Sequence, residues 1–236
     1  MIRIETYPAD NPLTGQSKWW GEPDMPDGLE YPELTVTDDD GEQWTDPLTF
    51  VCQIRCGDMA VYDTEGLLPH EGMLYFFAAL DYFLGDIDTP TYPGMGLWQK
   101  DYFRVLYSPT CDNLHTHHIV DEEGLPATRS AEALTFKAVD AVDADLKSAS
   151  HESGILNPLQ QVLNPLQGDD GIRLLGLPYI EEVREQTPGM LSLLQIDECD
   201  RWNLVFHDCG MLNFLIRPDH LQAGRWDKVE CCLFSF

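Results

Sequence analysis

The chain has 236 residues, 43% hydrophobic and 11% aromatic, enough for one large domain or two small ones with a real core. Its 41 acidic residues against 14 basic ones leave a formal charge of −27, with 25 Asp, 16 Glu and only five Lys. That balance excludes a nucleic-acid binder, which needs clustered Lys and Arg to displace counterions, and it favours a basic partner or a cation, with solubility or salt adaptation as the plainer reading.

The opening Met-Ile-Arg-Ile-Glu-Thr-Tyr lacks the apolar core of a signal peptide. No stretch approaches the roughly 18 apolar residues of a membrane span, so a cytoplasmic protein is expected. Seven Cys form an odd set without a Cys-x-x-Cys pair. They suit a reducing compartment, and no disulfide framework, structural zinc or other cofactor is expected.

From Trp20 to Pro47 the chain carries Pro23, Pro26 and Pro32, several Gly, and ten acids without a base, which predicts a long surface arm. The run from Pro47 to Ile54 is rich in β-formers and bounded by turn residues, and it predicts a buried strand. Gly72 to Phe77 and Tyr102 to Tyr107 read the same way. Residues 86–96, with two Pro and two Gly, predict a loop. A strand is expected from Leu134 to Val139, followed by a helix from about Asp140. Asn157-Pro-Leu-Gln and Asn164-Pro-Leu-Gln then supply two turn signals a heptad apart. The remaining strand-like runs are Met190 to Ile196, Trp202 to Phe206, Gly210 to Ile216 and Lys228 to Phe236.

Three blocks recur in the same order. Trp19-Trp-Gly-Glu-Pro23 matches Leu174-Leu-Gly-Leu-Pro178, Leu48-Thr-Phe-Val-Cys-Gln-Ile54 matches Met190-Leu-Ser-Leu-Leu-Gln-Ile196, and Gly72-Met-Leu-Tyr-Phe-Phe77 matches Gly210-Met-Leu-Asn-Phe-Leu215. They predict a duplicated, mostly β unit, with repeats at about 17–110 and 172–236, a connecting segment 111–171, and pseudo-two-fold symmetry. Phe50, Phe76, Leu193 and Phe214 are expected to be buried.

The same residues carry a family resemblance. Gly21-Glu-Pro-Asp-Met-Pro, Glu71-Gly-Met-Leu-Tyr-Phe-Phe77, Arg104-Val-Leu-Tyr107, Leu193-Leu-Gln-Ile-Asp197, Asp208-Cys-Gly-Met-Leu-Asn-Phe-Leu-Ile216 and Asp219-His-Leu221 resemble the YwqG-like family, a bacterial domain of unknown function. The resemblance covers nearly the whole chain. It implies an α+β fold in which two β-rich repeats form one body, and a place among immunity proteins encoded near secreted toxins. Two positions depart from the family: Cys52 stands where small Ala is common, and His207 stands where Gly precedes the Asp. The second matters if that turn needs φ above zero.

Candidate chemistry is sparse. In His115-Thr-His117-His118, strand alternation puts His115 and His117 on one face, where a third ligand would complete a metal site, although a loop carrying polar His is the commoner explanation. Asp38-Asp-Asp-Gly-Glu42 has clustered carboxylates but the wrong register for a calcium loop, since position one falls on Val36 and position twelve on Pro47. Cys209 with His207, or Cys111 with His115, lacks a nucleophile elbow, and Cys209 is expected to pack against an apolar strand start. Gly94-Met-Gly96 is not followed by the Gly-Lys of a phosphate loop. Gln53 and Gln195 hold equivalent places inside apolar strands, and each either bonds a neighbouring loop or lines an inter-repeat pocket with His207 and Asp208. Trp19, Trp20 and Trp44 are expected to be exposed beside acids.

Two functions remain. The first is a non-catalytic module of immunity or antitoxin type that binds a basic protein through Asp38, Asp39, Asp40, Glu42 and Trp44. The second is an enzyme with a metal or thiol site built at the repeat interface from His115, His117, His207 and Asp208.

Overall fold

Runs of β-branched and aromatic residues do form strands, and the described chain is mostly β with short helices. The computed structural model describes residues 1–37, 40–85, 91–120, 127–139 and 171–235. Asp38, Asp39, the expected helix from Asp140 and both Asn-Pro turns lie outside the described residues. In chain order the elements are β1 (Ile2–Pro8), β2 (Lys18–Trp19), β3 (Asp24–Pro26), β4 (Glu33–Thr37), β5 (Gln43–Pro47), β6 (Thr49–Arg55), α1 (Cys56–Met59), β7 (Met73–Ala78), α2 (Asp81–Leu84) and β8 (Gly96–Leu97). There follow β9 (Phe103–Ser108), β10 (Leu114–Thr116), β11 (Glu132–Ala138), β12 (Arg173–Leu174), α3 (Glu181–Gln186), β13 (Leu191–Asp197), β14 (Met211–Ile216), α4 (Pro218–Gln222) and β15 (Glu230–Phe234).

The chain divides into two units. The N-terminal unit comprises Glu5–Pro93 and Trp98–Thr135. Its strands pair antiparallel in the order β11, β2, β6, β7, β9. Strands β6 and β7 are buried on both faces, which is why they read as continuous apolar runs rather than alternating ones. Phe50, Tyr75 and Phe77 pack there with Met25, Leu34 and Leu48. At the entry to β7, Gly72 has φ +80° and passes so close to β9 that a Cβ would lie 2.0 Å from the Ser108 carbonyl oxygen, so only glycine fits.

Two expectations are corrected in this unit. The segment from Trp20 to Pro47 is not an irregular arm: β3 pairs with β10, and β4 pairs with β5 as a hairpin. The prolines misled because Pro26 and Pro47 close strands while Pro23 and Pro32 precede them, places where a missing N–H breaks no ladder. Trp19 and Trp20 are not exposed but buried, at 0% and 2%, because β2 is flanked by β6 on one side and β11 on the other.

The C-terminal unit comprises Met1–Ile4, Gly94–Leu97 and Phe136–Phe236. Its antiparallel order is β8, β15, β14, β13, β12, β1. Val183 of α3 packs with Ile180, Met190, Met211, Leu215 and Cys232. The loop expected over 86–96 is found at 91–95, residues 86–90 lie outside the described residues, and Gly96 instead begins the short strand β8. Trp202 to Phe206, expected as a strand, instead follows a 3-10 turn at Asp200–Trp202, and Asn203 turns the chain at φ +52°. Burial does alternate there, with Trp202, Leu204 and Phe206 inside. Only Leu204 finds a bridge, to Cys199, so the period of two marks packing rather than a ladder. Phe50, Phe76, Leu193 and Phe214 are all buried, as expected.

Candidate functional site

Lys18 is the single base between Arg3 and Arg55, and it is buried. A buried ammonium requires a partner, and β2 carries Lys18 to Asp24, whose Oδ2 lies 2.7 Å from the Lys18 Nζ. The carboxylate also accepts from the Gly15 N–H (2.9 Å), Gln53 Nε2 (3.0 Å) and Thr116 Oγ1 (2.8 Å). Gln53 returns the contact by accepting from the Asp24 N–H at 2.8 Å and donates to the Gln16 carbonyl, while the Tyr75 hydroxyl donates to the Asp24 carbonyl. Burial pushes this carboxyl up, but the Lys18 bond, the Gly15 and Thr116 donors and the Lys18 charge together hold it below its ordinary value. With its oxygens so fully used, Asp24 acts as a clamp joining β2, β3, β6 and β10.

Gln195 does the corresponding local work in the C-terminal unit, accepting from the Tyr179 N–H at 3.0 Å. Its buried Nε2 has no acceptor among the described residues.

The second place of interest is the β4–β5 hairpin. Register sets Leu34 opposite Asp46 and Val36 opposite Trp44, so these four share one face. Leu34 is buried in the core and Val36 packs on it, which turns that face toward the body of the unit. Trp44 remains 38% exposed, and its Nε1 donates to Asp46 Oδ2 at 2.7 Å. Asp46 in turn lines a cavity of about 240 Å³ together with Trp20, Tyr31, Leu48, Phe50, Asp81 and Arg129. Tyr31 is fixed by donating to the Leu48 carbonyl at 2.6 Å, and burial pushes its phenol up. Arg129 donates to the Leu84 carbonyl at 3.4 Å. Asp81 opens α2 and accepts from the Thr91 N–H at 2.6 Å; burial raises its carboxyl most, nearby N–H groups lower it, the Asp46 carboxylate raises it, and the balance is upward.

The expected site residues are distributed as follows. His115 lies 3.5 Å from Asp27, His118 lies 3.0 Å from Glu22, and the His117 ring stacks on Tyr31 at 4.7 Å. Strand β10 ends at Thr116, so the alternation that would align His115 with His117 stops between them. Among the described residues no group of three His, Cys, Asp or Glu is placed to hold a metal. Asp40 and Glu42 are exposed. His207, Asp208 and Cys209 lie on an exposed turn whose neighbouring N–H groups, of Phe206 and Gly210, are gathered by Glu198 Oε1.

His207 adopts φ +69°, so the conformation a glycine would favour is kept without one. The expectation that Cys209 packs is corrected: it is exposed, at φ +57°, because the turn directs it outward before β14 begins. The Asp208 charge beside it pushes its thiol up, the opposite of what a nucleophile needs. Burial likewise raises Cys111.

Sequence reasoning passed over Lys18, Asp24, Asp46 and Asp81. A lone Lys beside two Trp, just ahead of a long acidic stretch, was the available signal for the clamp. The cavity had none, because its walls come from distant parts of the chain.

No described helix is long and apolar enough to cross a membrane. A search of curated proteins finds no match. The expectation of a domain of unknown function is met by the family comparison, which carries no narrower name. Residues 17–233 match the model of DUF1963, a domain of unknown function, and the chain belongs to that family.

Proposed function

We propose that this protein is a non-catalytic binding module that docks a basic protein on the acidic face around the β4–β5 hairpin. One observation carries the reading: residues 22–46 hold ten carboxylates and no base, and although Asp24 is buried against Lys18, the hairpin is pinned to the core through Leu34 while Asp40, Glu42 and Trp44 stay exposed. Pinned acids form a persistent negative patch, which speeds encounter and selects partners, while an aromatic beside them supplies an anchor. A basic toxin domain, with this chain as its immunity protein, fits that chemistry. The test is association kinetics against such a domain, with Asp38, Asp39, Asp40 and Glu42 changed together to Asn or Gln. The on-rate is expected to fall about tenfold or more at low salt and far less at high salt. An unchanged on-rate reduces the patch to a solubility feature.

We also infer that the two units are copies of one motif. Lys18 stands opposite Gln53 and Trp19 opposite Cys52, while Arg173 stands opposite Gln195 and Leu174 opposite Leu194. Each long strand carries an irregularity, at Phe50/Cys52 and at Ser192/Leu194. Trp20 (φ +56°) donates to the Val51 carbonyl, and Leu175 (φ +59°) donates to that of Leu193. Two non-glycine residues in this rare conformation, each bonded to the residue skipped in its neighbour strand, support common descent more strongly than matched apolar runs do.

A further inference from the structure

We infer that the cavity beneath the hairpin receives one Lys or Arg side chain of the basic partner, as the anchor of the complex. This rests on the docking reading above and adds the place and chemistry of its central contact. The cavity, at about 240 Å³, falls below the roughly 300–1,000 Å³ of small-molecule pockets, a size that suits a single inserted side chain. Trp20, Tyr31 and Phe50 in its lining offer aromatic surface to an aliphatic stem and attraction to a cationic head.

Among the described residues its charged groups are two carboxylates, Asp46 and Asp81, against the guanidinium of Arg129, so that lining is net negative. The Asp46 carboxylate acts on Asp81 as a like charge, a repulsion that an incoming cation relieves. Surroundings of the cavity suit an interface as well. Asp46 is bonded to the exposed Trp44, and Asp81 and Thr91 are each followed in the chain by an exposed tyrosine, Tyr82 and Tyr92, whose rings lie 4.7 Å apart. Exposed aromatics around a charged pocket match the ring of contacts that excludes water from a buried anchor.

The experiment titrates the whole protein with N-acetyl-arginine amide and with its neutral isostere, N-acetyl-citrulline amide, followed by isothermal calorimetry and by amide shifts of the lining residues. Saturable binding of the arginine probe is expected, with shifts at Trp20, Tyr31 and Asp81, and at least about tenfold weaker binding of the citrulline probe. Asp46→Asn and Asp81→Asn should each weaken the arginine probe by about tenfold, while Glu65→Gln, at an exposed acid outside the cavity lining, should leave it within about twofold. Melting curves identify a variant that fails to fold, and the arginine-to-citrulline comparison on the wild-type protein stands without any variant. Absence of saturable binding, equal binding of the two probes, or indifference to both cavity substitutions overturns the inference. The docking reading fails separately, on the hairpin on-rates, so a protein that passes that test and fails this one docks its partner without this anchor.

Discussion

Asp24 sits in a Pro-rich acidic stretch, yet its carboxylate is the hub of the most connected polar cluster described. Removing its charge leaves Lys18 buried without its counter-ion, a change that costs roughly 3–5 kcal/mol in other proteins. Asp24→Asn is therefore expected to lower stability by about that amount in urea unfolding, and Lys18→Met added to it should cost less than the sum of the two single changes. The pH dependence follows in sign. The folded carboxyl lies below its ordinary value of 3.8, so its contribution is fully present above the unfolded value and is lost as pH falls through the lower folded one. Stability of the wild-type protein should consequently fall more steeply than that of Asp24→Asn as pH drops below about 4. Parallel acid-unfolding curves for the two proteins would contradict this.

At the scale of elements, β6 and β13 each place a glutamine amide against a loop, but the two do unequal work. Gln53 accepts one bond from Asp24 and donates two more, whereas Gln195 accepts one and its Nε2 has no acceptor among the described residues. Each buried bond contributes about 1 kcal/mol net, and a stranded partner costs about 1–3 kcal/mol. Gln53→Leu should therefore destabilise by roughly 2–4 kcal/mol and Gln195→Leu by about 1 kcal/mol, read from urea midpoints at constant slope. Equal effects would mean that strand packing rather than the amide sets the cost. Both glutamines were visible in the sequence as polar interruptions of apolar strands. Their partners were not, because Asp24 and Tyr179 reach them through loops whose course depends on which strands pair.

For the whole molecule the governing quantity is the formal charge of −27. Like charges held in a compact state repel, and salt weakens this as the Debye length shrinks from about 30 Å at 0.01 M to about 3 Å at 1 M. The melting temperature should thus rise with sodium chloride over that range. Exposed pairs such as Arg225 with Asp227 lose little by screening, and the buried Lys18–Asp24 pair is shielded from salt. A melting temperature that falls steadily with salt would show that attractive pairs outweigh the repulsion.

The sequence by itself determined the β-rich character, because β6, β7, β9, β11, β13, β14 and β15 are local runs whose composition matches the demands of a buried ladder. It also determined the acidity of residues 22–46, which belongs to composition alone. Strand β1 carried too weak an apolar signal to be expected, and the prolines of the supposed arm hid the β4–β5 hairpin, since whether a missing N–H matters depends on which edge of a strand faces a neighbour. Tertiary structure alone decided that Trp19 and Trp20 lie inside, because burial of β2 depends on strands more than thirty residues away. It alone assembled the cavity, whose walls run from Trp20 to Arg129 and become neighbours only through nonlocal strand pairing.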